Sequence, residues 1–76
     1  MKASEVILVD KDILGGTPVF KGTRVPVKNL FDYLEAGDSL NDFLSDFDYI
    51  PKEHCLAVLK LSEKLLIDAQ IHENIN

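Results

Sequence analysis

Apolar residues from position 26 onward recur with the three- and four-residue spacing of a helix. The first such stripe predicts a helix over residues 26–36, opened by Pro26 and ended by a left-handed Gly37. A shorter stripe predicts a second helix over residues 40–47, for which Ser39 is a suitable N-cap. The pattern therefore favours a chain whose larger part is helical.

A third helix is predicted to begin at Pro51 and to run to about Ala69. At 100° per residue, one of its faces should cover the other two helices, and the side chains on that face are Cys55, Val58, Leu59, Ser62, Leu65, Leu66 and Ala69. Leu56 and Ile67 point about 100° away from this face. They are either ordinary exposed aliphatics or part of a surface that a partner covers.

The first third of the chain has the composition of short strands. Residues 5–25 contain two groups of strand-forming side chains, Val6–Val9 and Val19–Phe20, separated by glycines and prolines. We therefore predict extended segments here and no helix. A lone two-stranded ribbon is marginal and an exposed aliphatic edge invites pairing, so we expect the Val6–Val9 strand to join two copies of the chain.

These elements predict a mainly α fold: a trihelical unit, homeodomain-like or winged helix-turn-helix-like, with a short N-terminal β segment. The length fits a single domain over residues 1–76. Its parts are an extended β segment (1–25), the three-helix unit (26–69) and a polar tail (70–76), in which Ile71 is available to a partner.

Size and composition indicate that the protein works with a partner. A chain of 76 residues has a thin core, and its 1 cysteine cannot form an internal disulfide, so we expect a homodimer. We find no membrane span and no signal-peptide pattern, which favours the cytoplasm. The net charge of -5 opposes unspecific attraction to nucleic acids, and residues 39–76 hold most of it, with three basic against seven acidic side chains.

The basic side chains are concentrated where acids are absent. Residues 13–31 contain Lys21, Arg24 and Lys28 and no acid, and Lys52 lies in the first turn of the third predicted helix. Cations grouped in this way are suited to contact the phosphates of a nucleic acid, so these four residues are the candidate nucleic-acid contacts. The alternative is a solvated surface.

The remaining polar residues do not combine into a catalytic or cofactor site. Asp38, Asp42 and Asp46 recur every four residues and form a solvated acidic face, a surface for a basic protein or, least favoured, a cation site. His54 and Cys55 are adjacent and point about 100° apart on a helix, so they are not a nucleophile and base pair. We expect a protein that is not an enzyme and holds no metal and no cofactor.

One stretch of the chain carries a family pattern. A leucine-rich helix and the residues Ala36–Ser39 follow the run Ile13–Val27, whose core is Gly22-Thr23-Arg24-Val25-Pro26-Val27. This pattern resembles the domain-of-unknown-function 433 family over about residues 13–66. The resemblance implies a trihelical, helix-turn-helix-like fold with an N-terminal β segment. It also implies the role of a VapB-like antitoxin of a type II toxin–antitoxin module, whose usual partner is a PIN-like ribonuclease toxin.

Two functions therefore compete. In the first, the protein is an antitoxin whose acidic, partly apolar C-terminal region occupies a basic toxin, with Leu56, Ile67 and Ile71 as apolar anchors and operator DNA as a second partner. In the second, it is a stand-alone helix-turn-helix transcriptional regulator that contacts DNA phosphates through Arg24, Lys28 and Lys52.

Overall fold

The computed structural model describes residues 1–74 and the side chains of residues 1–69. It confirms the predicted fold class, a mainly α chain in which a helix-turn-helix-like unit follows a short antiparallel β ribbon. In chain order the elements are α1 (Ala3–Val6), β1 (Ile7–Leu8), β2 (Val19–Phe20), α2 (Lys28–Glu35), α3 (Leu40–Asp46) and α4 (Lys52–Asn74). Among the described residues, no helix combines the length and the apolar character needed to cross a bilayer.

The β ribbon connects the N-terminus to the start of the helical unit. β1 and β2 pair in antiparallel register, with Ile7 opposite Phe20 and Leu8 opposite Val19. On the other side of β2, the Phe20 N–H donates to the Val25 carbonyl at 2.9 Å. β2 is therefore paired on both sides, whereas β1 is paired on one side only within the described part of the chain.

Two predictions for the N-terminal region are wrong. α1 is a helical turn where an extended segment was expected, since that turn lets the Glu5 carboxylate accept the Lys2 N–H at 2.8 Å and places Val6 in the core. The strand expected over Val6–Val9 is correspondingly reduced to the two residues of β1. The aliphatic run is thus divided between a helix, a strand and a loop.

The turn between α2 and α3 follows the predicted capping. α2 begins at Lys28, two residues later than expected, and ends in a Schellman motif. Gly37 has a φ of +91°, and its N–H donates to the Leu34 carbonyl at 3.1 Å. The Asp38 N–H donates to the Tyr33 carbonyl at 2.9 Å. The left-handed glycine reverses the chain so that α3 packs against α2.

A capping box between Ser39 and Asp42 fixes the start of α3. The Ser39 Oγ accepts the Asp42 N–H at 3.0 Å, and the Asp42 carboxylate accepts the Ser39 N–H at 2.9 Å. These hydrogen bonds, from the Ser39 backbone first, lower the pKa of Asp42 below its ordinary value of 3.8. The stabilisation by this carboxylate is therefore present above pH 3.8 and is lost as the pH falls through the folded-state pKa.

Removal of the cap gives a stability prediction. We expect Ser39→Ala to lower the free energy of unfolding by about 1 kcal/mol at neutral pH, because the first turn of α3 loses a backbone partner. Urea denaturation followed by circular dichroism measures this, with Asn41→Ala on the exposed side of α3 as the control. Equal stability of the two variants would contradict the role given to the cap.

A single cluster of buried side chains lies between the ribbon, α2, α3 and the first half of α4. Its members are Val6, Phe20, Val25, Val27, Leu30, Phe43, Ile50, Cys55 and Val58. The Phe43 ring lies at its centre, with ring centroids 5.2 Å from Tyr33 and 4.8 Å from Phe47. Cys55 is a core residue as predicted, and burial raises the pKa of its thiol, which stays neutral at pH 7.

The second half of α4 departs from the prediction. α4 continues to Asn74, whereas the expected helix ended near Ala69. Leu65, Leu66 and Ala69 were expected in the core, but all three are exposed. α4 has 23 residues at about 1.5 Å each, and the last of its side chains that packs on the core is Leu61. The shorter elements end before α4 does.

Candidate partner-binding surface

Two neighbouring leucines in the second half of α4 face water. Leu65 is 72% exposed and Leu66 is 67% exposed. At 100° per residue they continue the stripe that is buried at Cys55 and Val58. We call residues 62–69 the overhang, because this part of α4 extends past the core. The overhang presents a core-like stripe that the described part of the chain leaves uncovered, which is typical of a protein-binding surface.

An apolar groove lies beside the overhang. It has a volume of about 430 Å³ and is lined by Ala3, Ile7, Val27, Val58, Leu61, Ser62, Lys64, Leu65 and Asp68. Its apolar side chains come from the N-terminal segment, from the start of the helical unit and from α4. Because Leu65 belongs to both features, the groove and the overhang form one continuous surface.

The charges around the overhang are arranged asymmetrically. On a helical projection, Glu63 and Asp68 flank the Leu65–Leu66 stripe, each about 60° from the nearer leucine. Lys60 lies on the opposite side of α4, where its Nζ pairs with a Glu63 carboxylate oxygen at 3.2 Å. Both charges of this pair are exposed, so the pair adds little stability, while Lys60 offsets part of the negative charge of Glu63. The stripe therefore has an acidic rim of Glu63 and Asp68, while Lys64, which also lines the groove, lies about 100° from Leu65 around the helix.

The predicted partner residues lie beside this stripe and not on it. Leu56 is 48% exposed and Ile67 is 49% exposed, and both project about 100° away from the core face, as the sequence predicted. The side chain of Ile71 lies outside the described residues. Sequence reasoning missed Leu65 and Leu66 as binding residues, although a signal existed: the predicted third helix was much longer than the two helices that it had to cover.

The four predicted nucleic-acid contacts differ in whether their side chains already have partners within the fold. The Lys21 Nζ donates to the Ser4 carbonyl at 3.2 Å. The Lys28 Nζ pairs with Asp32 at 2.8 Å, and this hydrogen bond raises the pKa of Lys28. Arg24 and Lys52 are exposed and make no side-chain hydrogen bond or ion pair with the described residues. Two of the four cations thus already have partners within the fold.

The acidic residues of α3 also have partners within the fold. Asp42 is engaged in the capping box described above. Asp46 accepts the Tyr33 hydroxyl at 2.5 Å, which joins α3 to α2 and raises the pKa of that phenol. Asp38 precedes α3 and has its N–H bonded to α2. The predicted stripe of three carboxylates is therefore divided among separate structural roles.

His54 is less exposed than the sequence indicated. A polar residue next to the core residue Cys55 is expected at the surface, but the His54 side chain is half-buried at the start of α4. Its Nδ1 atom is buried and has no hydrogen-bond partner among the described residues. Cys55, beside it, points into the core, so the two side chains do not form a joint site.

Comparison with known proteins places the chain in a family. The family described as "Protein of unknown function (DUF433)" matches residues 7–61. The chain belongs to this family. The match covers the β ribbon, α2, α3 and the first half of α4 and ends before residue 62, so the overhang lies beyond the family match.

A relative in Sinorhizobium fredii is similar to part of the chain. It bears the name "Uncharacterized protein y4eO" and is 41% identical over 51 residues, which are 67% of this chain and 23% of the relative. The chain therefore spans about a quarter of that relative's length. No solved structure matches the chain. Neither comparison specifies a partner, so the interpretation of the overhang depends on its own geometry and charge.

Proposed function

We propose that the protein is a non-enzymatic antitoxin that neutralises a PIN-like ribonuclease toxin by binding it through the overhang. The observation that carries the proposal is the exposure of Leu65 and Leu66 on a helix that extends past the core. Burial of one such aliphatic side chain by a partner stabilises the complex by about 1.5–3 kcal/mol. The overhang is thus equipped to supply the apolar centre of an interface.

The acidic rim favours a basic partner over a second copy of the chain. The stripe reads nearly the same in both directions, with small Ser62 and Ala69 at its ends and two leucines between them. Two overhangs packed antiparallel about a twofold axis would therefore fit in shape. However, that arrangement places Glu63 of one copy near Asp68 of the other, and like charges across an interface are unfavourable. A partner with basic side chains around an apolar patch meets no such repulsion.

The homodimer that we also propose uses another surface. β1 has one unpaired edge among the described residues, and a small domain with a thin core gains stability by association. Pairing of two β1 edges uses the backbone of Ile7 and Leu8 and does not require Leu65 or Leu66 of either copy.

The family resemblance supports the antitoxin role from a separate direction. The chain belongs to the DUF433 family, and the resemblance described under the sequence analysis implies an antitoxin role for such a chain. Binding by the overhang inhibits the toxin through occlusion, since the fold contributes no reacting group to that surface. One chain then inhibits one toxin molecule for as long as the complex lasts.

The proposal is tested with the purified product of the adjacent open reading frame. We expect that product to be a ribonuclease whose cleavage of RNA stops when the chain is added at a one-to-one ratio. A fluorogenic RNA substrate measures the residual activity at increasing ratios. If the product does not bind the chain, or keeps its activity in the complex, the antitoxin role is wrong.

A second candidate function is DNA binding, either by the free chain or by the antitoxin complex at its own operator. Arg24 supports it, because it sits on an ordered turn in which the Thr23 hydroxyl donates to the Phe20 carbonyl at 2.8 Å and accepts the Val25 N–H at 3.0 Å. Lys52 is the other unpaired cation of the predicted set. If a dimer contacts four phosphates, the logarithm of its affinity falls with the logarithm of the salt concentration with a slope of about −3.6.

Fluorescence anisotropy with the promoter-region DNA measures this slope for the chain alone and for the complex. We expect Arg24→Ala to reduce the slope by about 2 in a dimer, one phosphate contact per copy. Equally tight binding to unrelated DNA would contradict a regulatory role for this turn. An unchanged salt slope in Arg24→Ala would contradict it as well.

A further inference from the structure

The loop between β1 and β2 holds a leucine in a conformation that leucine disfavours. Leu14 has a φ of +49°, in the left-handed region, and is followed by Gly15 at +65° and Gly16 at +92°. Glycine adopts these angles without steric cost, whereas a side chain with a Cβ atom does not. The sequence thus has a leucine at the first of three left-handed positions, where glycine or asparagine would be more stable.

Hydrogen bonds impose this conformation on the loop. The Gly16 N–H donates to the Ile13 carbonyl at 3.1 Å, and the Thr17 N–H and hydroxyl donate to the Leu14 carbonyl at 3.2 Å and 2.8 Å. On the other side of the turn, the Ile13 N–H donates to the Asp10 carbonyl at 2.9 Å. The strain at Leu14 is therefore maintained by the surrounding loop and does not relax.

Packing of the leucine within the chain does not compensate for the strain. The Leu14 side chain is 46% exposed, and it is not among the side chains that pack on the hydrophobic core. Val9, in the same loop, is exposed as well. Strained residues that the rest of a structure holds in place are concentrated at ligand-binding and switch sites.

We propose that Leu14 is a preset anchor that inserts into an apolar pocket on the toxin that the overhang binds. This inference rests on the proposed function and adds a second, separate contact to it. A fixed backbone lets the leucine bind without first losing the conformational freedom of a flexible loop. The free chain therefore bears the strain at Leu14, and the complex loses less conformational entropy when it forms.

The chemistry of the loop favours a basic protein partner over nucleic acid. Asp10 and Asp12 flank Lys11, so the loop carries a net negative charge that phosphates repel. The leucine offers no hydrogen bond to a base edge and no ring to stack on one. An apolar pocket with a basic rim fits both the leucine and the two carboxylates, and it is the same chemistry that the acidic rim of the overhang selects.

The test uses two substitutions at one position. Leu14→Gly removes the side chain and relieves the strain, whereas Leu14→Ala removes the side chain and keeps the strain. We expect both variants of the full chain to bind the product of the adjacent open reading frame at least tenfold more weakly than the unsubstituted chain. At the same time, we expect the thermal midpoint of free Leu14→Gly to lie about 4–8 °C above that of Leu14→Ala. Lys11→Ala, in the same loop, is the matched control and should bind at least as tightly as the unsubstituted chain, because it leaves Leu14 and both carboxylates in place.

The outcomes separate this inference from the proposed function. Tight binding by the unsubstituted chain together with unchanged binding by both Leu14 variants overturns the anchor and leaves the antitoxin role in place. Equal thermal midpoints of the two variants overturn the claim of strain. Absence of binding by the unsubstituted chain removes the antitoxin role and the anchor with it. Weaker binding by both variants combined with the higher midpoint of Leu14→Gly supports the anchor, because affinity then follows the loss of the side chain and not the stability of the fold.

Discussion

Replacing Leu65 and Leu66 together by glutamine is expected to weaken toxin binding at least 100-fold while the free chain keeps its stability. Each leucine contributes about 1.5–3 kcal/mol when it is buried at an interface, and two such side chains account for this loss. Glutamine preserves helix propensity, and both positions are exposed in the free chain, so the free energy of unfolding should change by less than about 0.5 kcal/mol. Calorimetric titration and urea denaturation measure the two quantities.

The matched control is the double substitution of Leu56 and Ile67 by glutamine. These side chains are half exposed on the same helix, but they project to the side of the stripe. If the stripe is the centre of the interface, this variant binds at most about tenfold more weakly. If the control lost more affinity than the Leu65 and Leu66 variant, the interface would lie on the side of α4 that carries Leu56 and Ile67, which the sequence pattern first indicated.

Phe43→Ala is expected to unfold a substantial part of the molecules at room temperature. Phe43 is fully buried, and its ring contacts three other aromatic rings, the nearest with a centroid distance of 4.8 Å. Truncation of a buried phenylalanine costs about 3–5 kcal/mol, and a domain of this size has a total stability on the order of 5 kcal/mol. The loss therefore approaches the whole free energy of unfolding.

Thermal and urea denaturation followed by circular dichroism measure this effect. Tyr49→Ala is the control, because Tyr49 is an exposed aromatic residue and its loss should cost less than about 0.5 kcal/mol. Phe43→Leu keeps most of the buried volume, so its free energy of unfolding should lie between those of Phe43→Ala and Tyr49→Ala. If Phe43→Ala were as stable as Tyr49→Ala, the core would not be centred on this ring.

Local signals in the sequence predicted the helical unit well. A left-handed Gly37 and the Ser39 N-cap define the α2–α3 turn through backbone rules that act over three or four residues, and both are present in the structure. Leu30 and Phe43 belong to the two apolar stripes that predicted these helices, and both are fully buried. These features depend on neighbours in the chain, so the sequence contains the information needed to predict them.

The features that the sequence did not predict depend on distant parts of the chain. Val6 belongs to a helical turn and not to a strand because it packs into a core built by later residues. The exposure of Leu65 and Leu66 depends on where the ribbon, α2 and α3 end, which the periodicity of α4 alone does not report. Lys28 was a candidate nucleic-acid contact in a stretch without acids, but Asp32, one turn later in α2, pairs with it. Periodicity identifies an apolar face, and only the assembled fold shows how much of that face is covered.

Hydrogen–deuterium exchange of the chain with and without the purified toxin is the most direct test of the central claim. In the proposed complex, a basic partner protein covers the second half of α4. We predict that the amides of residues 62–69 exchange at least tenfold more slowly in the complex, while those of the Lys21–Arg24 turn are unchanged. A stable complex in which residues 62–69 exchange as fast as in the free chain would contradict the account.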